Sequence, residues 1–175
     1  FGYSIHYLNT GNAKSDLLAK IFVQTGMVFG VAGLSTGMLW AQYTWGSYWV
    51  PDPKLNGAAV ALLAYLAYVV LRNSMTDELA RAKVSAVYNI FAFVMMVIFI
   101  FILPRMTSSL HPGNGGNPAF SSYDLDNSMR IVFYPATIGW ILLGLWISEL
   151  KYRIETLHKK DEEFSNASPI HLDGD

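Results

Sequence analysis

The chain has no cysteine, which excludes disulfides, thiolate metal sites, cysteine nucleophiles and thioether attachment of a cofactor to it. Charge is scarce too: 14% of the 175 residues are Asp, Glu, Lys or Arg, against 53% apolar, and the formal net charge is -1. That balance excludes nucleic acid as a partner, because binding a polyanion needs a surplus of Lys and Arg gathered on one face. It points to a membrane protein and a lipid bilayer as its surroundings. No signal peptide or cleavage site is visible, and the chain opens at Phe1 inside apolar sequence, which reads as an N-terminally incomplete protein.

What the chain does have is four long stretches free of charge. Ile21 to Trp40 is twenty residues without an ionisable group; at 1.5 Å per residue such a helix covers the roughly 30 Å hydrocarbon layer. Gly26, Gly30, Gly33 and Gly37 fall on one stripe of it, a spacing that predicts close approach of a neighbouring helix. Leu55 to Leu71 is shorter and carries Ala58, Ala61, Ala64 and Ala67 before Arg72. Val84 to Leu103 ends at Pro104 and Arg105, and Ile131 to Ser148 ends at Glu149. Phe1 to Leu8 reads as the end of a further apolar element, followed by the polar turn NTGNAKSD. The expected fold is an all-α polytopic membrane protein: one transmembrane domain over 1–175, a helical bundle with four complete spans (about 21–40, 55–71, 84–103 and 131–148) plus the end of a fifth.

Orientation follows from the basic residues, which are retained on the cytoplasmic side during insertion. Lys14, Lys20, Arg72, Arg81, Lys83, Lys151, Arg153, Lys159 and Lys160 share one side, and only Lys54, Arg105 and Arg130 lie on the other. Loops 41–54 and 104–130 then face outward, and the tail 149–175 faces the cytoplasm. In that tail, Glu149 with Arg153 and Glu155 with Lys159 have helix-supporting spacing before DEEFSNASPIHLDGD, which reads as disordered.

The first outer loop holds TWGSYWVPDPKLN. Trp40, Trp45, Tyr48 and Trp49 suit an interfacial aromatic belt. Yet Gly46 permits close backbone approach, Pro51 and Pro53 stiffen the exit, and Asp52 adds a carboxylate that a belt does not need; such a rigid aromatic shelf also suits a flat aromatic ligand. The second outer loop carries His111, the one histidine on that side. It is either a solvated loop residue or an axial donor to haem iron. Lys54, Arg105 and Arg130 are available to two propionates, or are snorkelling anchors at helix ends.

The segment GMLWAQYTWGSYWVPDPKLNGAAVALLAYLAYVVLR resembles the tryptophan-rich WWD segment of the haem-handling membrane proteins of cytochrome c maturation, the CcmC/CcsA type, whose core reads approximately WGxxWxWDxR. SSLH resembles that family's periplasmic NTLH. The resemblance runs from about Asp16 to Lys160. It implies a haem-delivery protein of the bacterial inner membrane rather than an enzyme. Non-covalent haem b in transit would lie on the periplasmic face against the Trp-rich loop, held by two loop histidines and passed to a periplasmic haem chaperone with help from ABC transporter subunits. Carried over by position, Trp45, Gly46, Trp49 and Asp52 match the motif and His111 matches the second axial histidine. Pro51 stands where the family usually has Trp, Tyr48 for a frequent Trp and Lys54 for Arg. The family's first histidine lies before the helix that ends at Leu8 and has no counterpart in this sequence; His6, His158 and His171 fall on the cytoplasmic side.

Two other readings compete. A structural or interaction subunit of a larger membrane complex, with no haem of its own, would use the glycines for packing and the aromatics for anchoring. An enzyme using Asp52, Asp124 or Asp126 lacks a second carboxylate–histidine cluster, and hard-metal sites need more oxygens than this spacing supplies.

Overall fold

A computed structural model describes residues 1–107, 109–110 and 126–167. Helices account for nearly all of them, and no strand occurs among the described residues. A short helix α1 (Gly2–Thr10) precedes α2 (Ala13–Trp45), α3 (Pro53–Ser74) and α4 (Glu78–Val97). A π-helical turn (Ile98–Ile102) and one turn of helix, α5 (Leu103–Met106), continue α4; α6 (Asn127–Ala167) is the last element among the described residues. Four of these helices are long and apolar enough to cross a membrane, counting α4 through α5 as one. The protein is an all-α polytopic membrane protein.

Local chemistry sets the boundaries. Gly11, at φ +68°, ends α1 and returns its amide to the Tyr7 carbonyl at 2.7 Å. Asn12 then caps α2 by accepting from the Lys14 amide at 2.9 Å, so two residues reverse the chain. Asp77 does the same for α4 through the Leu79 amide at 3.1 Å. Asp126 accepts from the Met129 amide at 2.7 Å at the start of α6.

The helices extend beyond the expected spans, α6 most of all. The helix opening the second half of the loop, α6, starts at Asn127 and runs without interruption to Ala167, so 161–167, expected to be disordered, continue the helix. The Glu149–Arg153 pair forms at 2.9 Å, but Glu155 turns to Lys20 of α2 at 2.8 Å. An inter-helix partner thus replaces the expected Lys159 and ties the extended end of α6 to the bundle.

Glycine packing is more selective than the stripe suggested. A Cβ on Gly30 would lie 2.5 Å from Leu62 Cδ2, so α3 approaches α2 there, whereas Gly26, Gly33 and Gly37 have nothing within 4 Å of that position. All four glycines line a cavity of about 680 Å³ among α1, α2, α3 and α4, with Gly30 at the point where Leu62 closes on α2. Removing side chains from one helix face gives close approach only where a neighbour fills the space; elsewhere it leaves a hollow. Gly57 and Gly144, which the stripe did not include, are close-contact positions: Gly57 faces the Phe99 backbone and Gly144 the Phe29 ring.

The two ends of the bundle have different characters. At one end Arg72 makes a two-pronged ion pair with Asp16, Nη1 to Oδ1 at 2.7 Å and Nη2 to Oδ2 at 2.5 Å. Lys20 meets Glu155 there, Lys151 donates to Gln24 at 2.9 Å, and Lys14 sits 5.4 Å from the Tyr152 ring centre. α1 packs between α2 and α4 in the same half, with the Phe1 and Phe93 rings stacked at 4.4 Å and Asn89 donating to buried Ser4 at 2.8 Å. The opposite end holds the aromatic segment and the start of the second loop.

Candidate functional site

The aromatic segment begins inside a helix. Trp45 is the last residue of α2, and its ring meets Trp40 edge-on with centroids 5.0 Å apart. Gly46 follows at φ +76°, a left-handed conformation that only glycine adopts without steric cost, and its amide closes on the Gln42 carbonyl at 3.1 Å. Gly46 therefore stops the helix and swings the chain outward. Tyr48 and Trp49 come next and are exposed, at 54% and 38%, while Ser47 donates to the Trp49 carbonyl at 2.9 Å and tightens the turn.

Asp52 ends the segment and is buried, with 2% of its surface exposed. Its Oδ1 accepts from the Lys54 amide at 2.9 Å and the Leu55 amide at 3.4 Å, capping α3, whose first residue is Pro53. A proline at the first helical position lacks only an amide that the helix would leave unsatisfied, so Asp-Pro is a strong start signal. The same carboxylate reaches across to the second loop: Ser109 Oγ donates to Oδ1 at 3.0 Å and the Leu110 amide to Oδ2 at 2.6 Å. Residues 109–110 are thereby fastened to the exit of the Trp-rich segment.

Helix packing brings that partner within reach. At the π-helical turn the Phe99 carbonyl points at Gly57, where a Cβ would lie 3.1 Å from the carbonyl carbon and closer still to its oxygen. A π turn widens the backbone ladder locally, and Gly57 supplies the missing volume that lets α3 and this turn touch. Pro104 is buried just beyond. From there the chain runs to Ser109. Gly57 and Ser109 were missed by the sequence reading: a lone glycine among alanines is a visible small-residue signal, but nothing in SSLH announces Ser109.

Of the basic candidates, Lys54 lines the cavity among α1, α2, α3 and α4 from its place in the first turn of α3. Arg105 is exposed on α5, and Arg130 is half-buried in the first turn of α6, its amide bonded to the Asp126 carbonyl at 3.0 Å. His111 and Asp124 lie outside the described residues. His6 is at the opposite end, where its Nδ1 is 2.8 Å from Ser15 Oγ. Among the described residues no three His, Asp or Glu side chains gather as a metal site.

Fold and site together define a class: a multi-span helical membrane protein in which an aromatic turn at one end of the bundle is tied to a second loop. The chain belongs to the heme exporter protein C family, whose model matches residues 3–166. It is 25% identical over 132 residues to "Heme exporter protein C" of Haemophilus influenzae, covering 75% of this chain and 53% of that protein. It is 27% identical over 146 residues to the protein of the same name from Bradyrhizobium diazoefficiens, covering 83% and 55%. "Cytochrome c biogenesis protein CcsA" of Synechococcus sp. (strain CC9902) is 30% identical over 92 residues, 53% of this chain and 30% of that protein. The chain thus spans about half the length of the first two relatives.

Proposed function

We propose that this chain handles haem for cytochrome c biogenesis, holding non-covalent haem b in transit and delivering it rather than transforming it. The family match supports the cargo, and one structural observation supports the place: exposed Tyr48 and Trp49 project at the end of the bundle where Asp52 fastens residues 109–110, the immediate neighbours of His111. In this reading the porphyrin lies against Trp45, Tyr48 and Trp49 over the turn made by Gly46. His111 is an axial nitrogen to the iron, and Lys54, Arg105 and Arg130 receive the propionates. Flat aromatic faces and charge-assisted bonds at the rim suit a cargo that must be held and then released.

The aromatic end faces the periplasm and the ion-paired end, with the C-terminus, faces the cytoplasm of a bacterial inner membrane; the nine-to-three distribution of basic residues supports this orientation. Haem then passes to a periplasmic haem chaperone, with ABC transporter subunits as further partners. No step in this reading needs bond-breaking chemistry.

The test is the visible spectrum of the purified protein with haem and its response to two substitutions. His111→Ala is expected to abolish the spectrum of bound haem. His6→Ala, at the Ser15 end, is expected to leave it unchanged. A spectrum that survives loss of His111 and collapses with loss of His6 inverts the topology; a protein that takes up no haem supports the structural-subunit reading instead.

A further inference from the structure

We propose that Asp52 is a positioning residue that acts on haem through the second loop, without itself touching the cargo; the haem part of this inference rests on the delivery reading above. Three observations carry it. First, Asp52 is buried, unlike the exposed aromatics Tyr48 and Trp49 a few residues before it. Second, among the described residues its carboxylate accepts from Lys54, Leu55, Ser109 and Leu110, so these bonds direct it into the protein. Third, those donors belong to two different elements. Two are the first amides of α3 and two come from residues 109–110, separated from Asp52 by 57 and 58 positions in sequence.

One side chain therefore fixes both the start of α3 and the root of the second loop. The Gly57–Phe99 contact brings the two elements close, and Asp52 then sets their register to hydrogen-bond precision. Leu110 is covalently joined to His111, so an anchor on the Leu110 amide limits where the next residue can go: successive Cα atoms are about 3.8 Å apart. A cofactor ligand on a loop is held accurately only when its neighbours are held too.

Capping and tying can be separated. Asp52→Ser keeps a good N-cap, but its shorter side chain cannot span both elements, so α3 stays capped while the tie to 109–110 is lost. Ser109→Ala removes one of the two cross-loop donors and leaves the cap intact. Because the chain has no cysteine, spin labels on introduced cysteines at Tyr43 and Leu110 report loop position directly. Both positions are exposed, and Leu110→Cys retains the amide that bonds Asp52.

In the otherwise unchanged protein the label-to-label distance is expected to be narrowly distributed. Asp52→Ser is expected to broaden it, and Ser109→Ala to broaden it less. In unlabelled protein, Asp52→Ser is expected to lower haem retention about tenfold, equivalent to about 1.4 kcal/mol, and to shift the visible spectrum of the remaining haem as nitrogen coordination is lost. Added imidazole should restore a nitrogen-ligated spectrum, since the aromatic shelf is intact and only the His111 nitrogen is displaced. A distribution that stays narrow while haem is lost overturns the proposal and assigns Asp52 to direct contact. So does a broadened distribution with unchanged haem content and spectrum. If the unsubstituted protein takes up no haem, the delivery reading fails, and the haem arm with it, while the distance measurement still decides whether Asp52 ties the loops.

Discussion

Adding one methyl group at Gly57 probes the contact on which the outer end of the bundle depends. An alanine Cβ there would meet the Phe99 carbonyl well inside contact distance, with the carbonyl carbon at 3.1 Å and Phe99 Cβ at 3.5 Å. Ordinary carbon-to-carbonyl-oxygen contacts are about 3.3–3.6 Å, so α3 and the π turn must part by roughly 1 Å. The obstacle is backbone, which cannot rotate away. Overpacking of this kind costs about 1–3 kcal/mol, against which the better helix propensity of alanine returns at most about 1 kcal/mol. Helices persist in detergent after tertiary contacts are lost, so little of that return is realised. Gly57→Ala is expected to be destabilised by about 1–3 kcal/mol in SDS titration of the micelle-solubilised protein. Two other glycines calibrate the effect. Gly33→Ala, with nothing within 4 Å, should be neutral or slightly stabilised. Gly30→Ala meets only the flexible end of Leu62 and should fall between the two. If Gly57→Ala matches the unsubstituted protein, or Gly33→Ala costs as much, the close approach at Phe99 is not what holds α3 to the π turn.

The Asp16–Arg72 pair has side chains only 16% and 10% exposed, so Arg72→Met should cost about 3 kcal/mol by leaving Asp16 without its counter-ion, and the double variant Asp16→Leu/Arg72→Met should recover most of that loss; the same SDS titration measures both, and equal losses would show that the unmatched charge is not the cause. Trp45→Ala and Trp49→Ala should each weaken haem retention without impairing membrane insertion, read as haem content per inserted protein. If both variants keep full haem content and support normal cytochrome c assembly, the rings serve only as an interfacial belt.

The fold was legible because lipid imposes a crude and strict demand: each span must be long, apolar and internally hydrogen-bonded. Uncharged runs from Ile21, Leu55, Val84 and Ile131 satisfy it without reference to any partner. Their caps at Asp52-Pro53 and Asn12 are just as local, acting within one helical turn, but the structure assigned them and the sequence reading did not. Gly46 was read as allowing close backbone approach, but nothing lies within 4 Å of its Cβ position; its left-handed geometry instead ends a helix that runs five residues past the expected boundary at Trp40.

Contacts between distant residues were not legible, because no sequence period links them. Asp16 and Arg72 are 56 positions apart, and Glu155 finds Lys20 at a separation of 135; each acid also had nearer basic residues in sequence. The glycine stripe of α2 specified where side chains are missing but not what occupies the space: all four line a cavity, and Leu62 enters it at Gly30 alone. Asp52 shows the division most clearly. The sequence reading took it as a carboxylate beside the aromatic shelf and did not assign the cap, although the amides it serves are only two and three residues away. Only tertiary structure, by seating the π turn on Gly57, carried Ser109 and Leu110 to the other side of the same carboxylate.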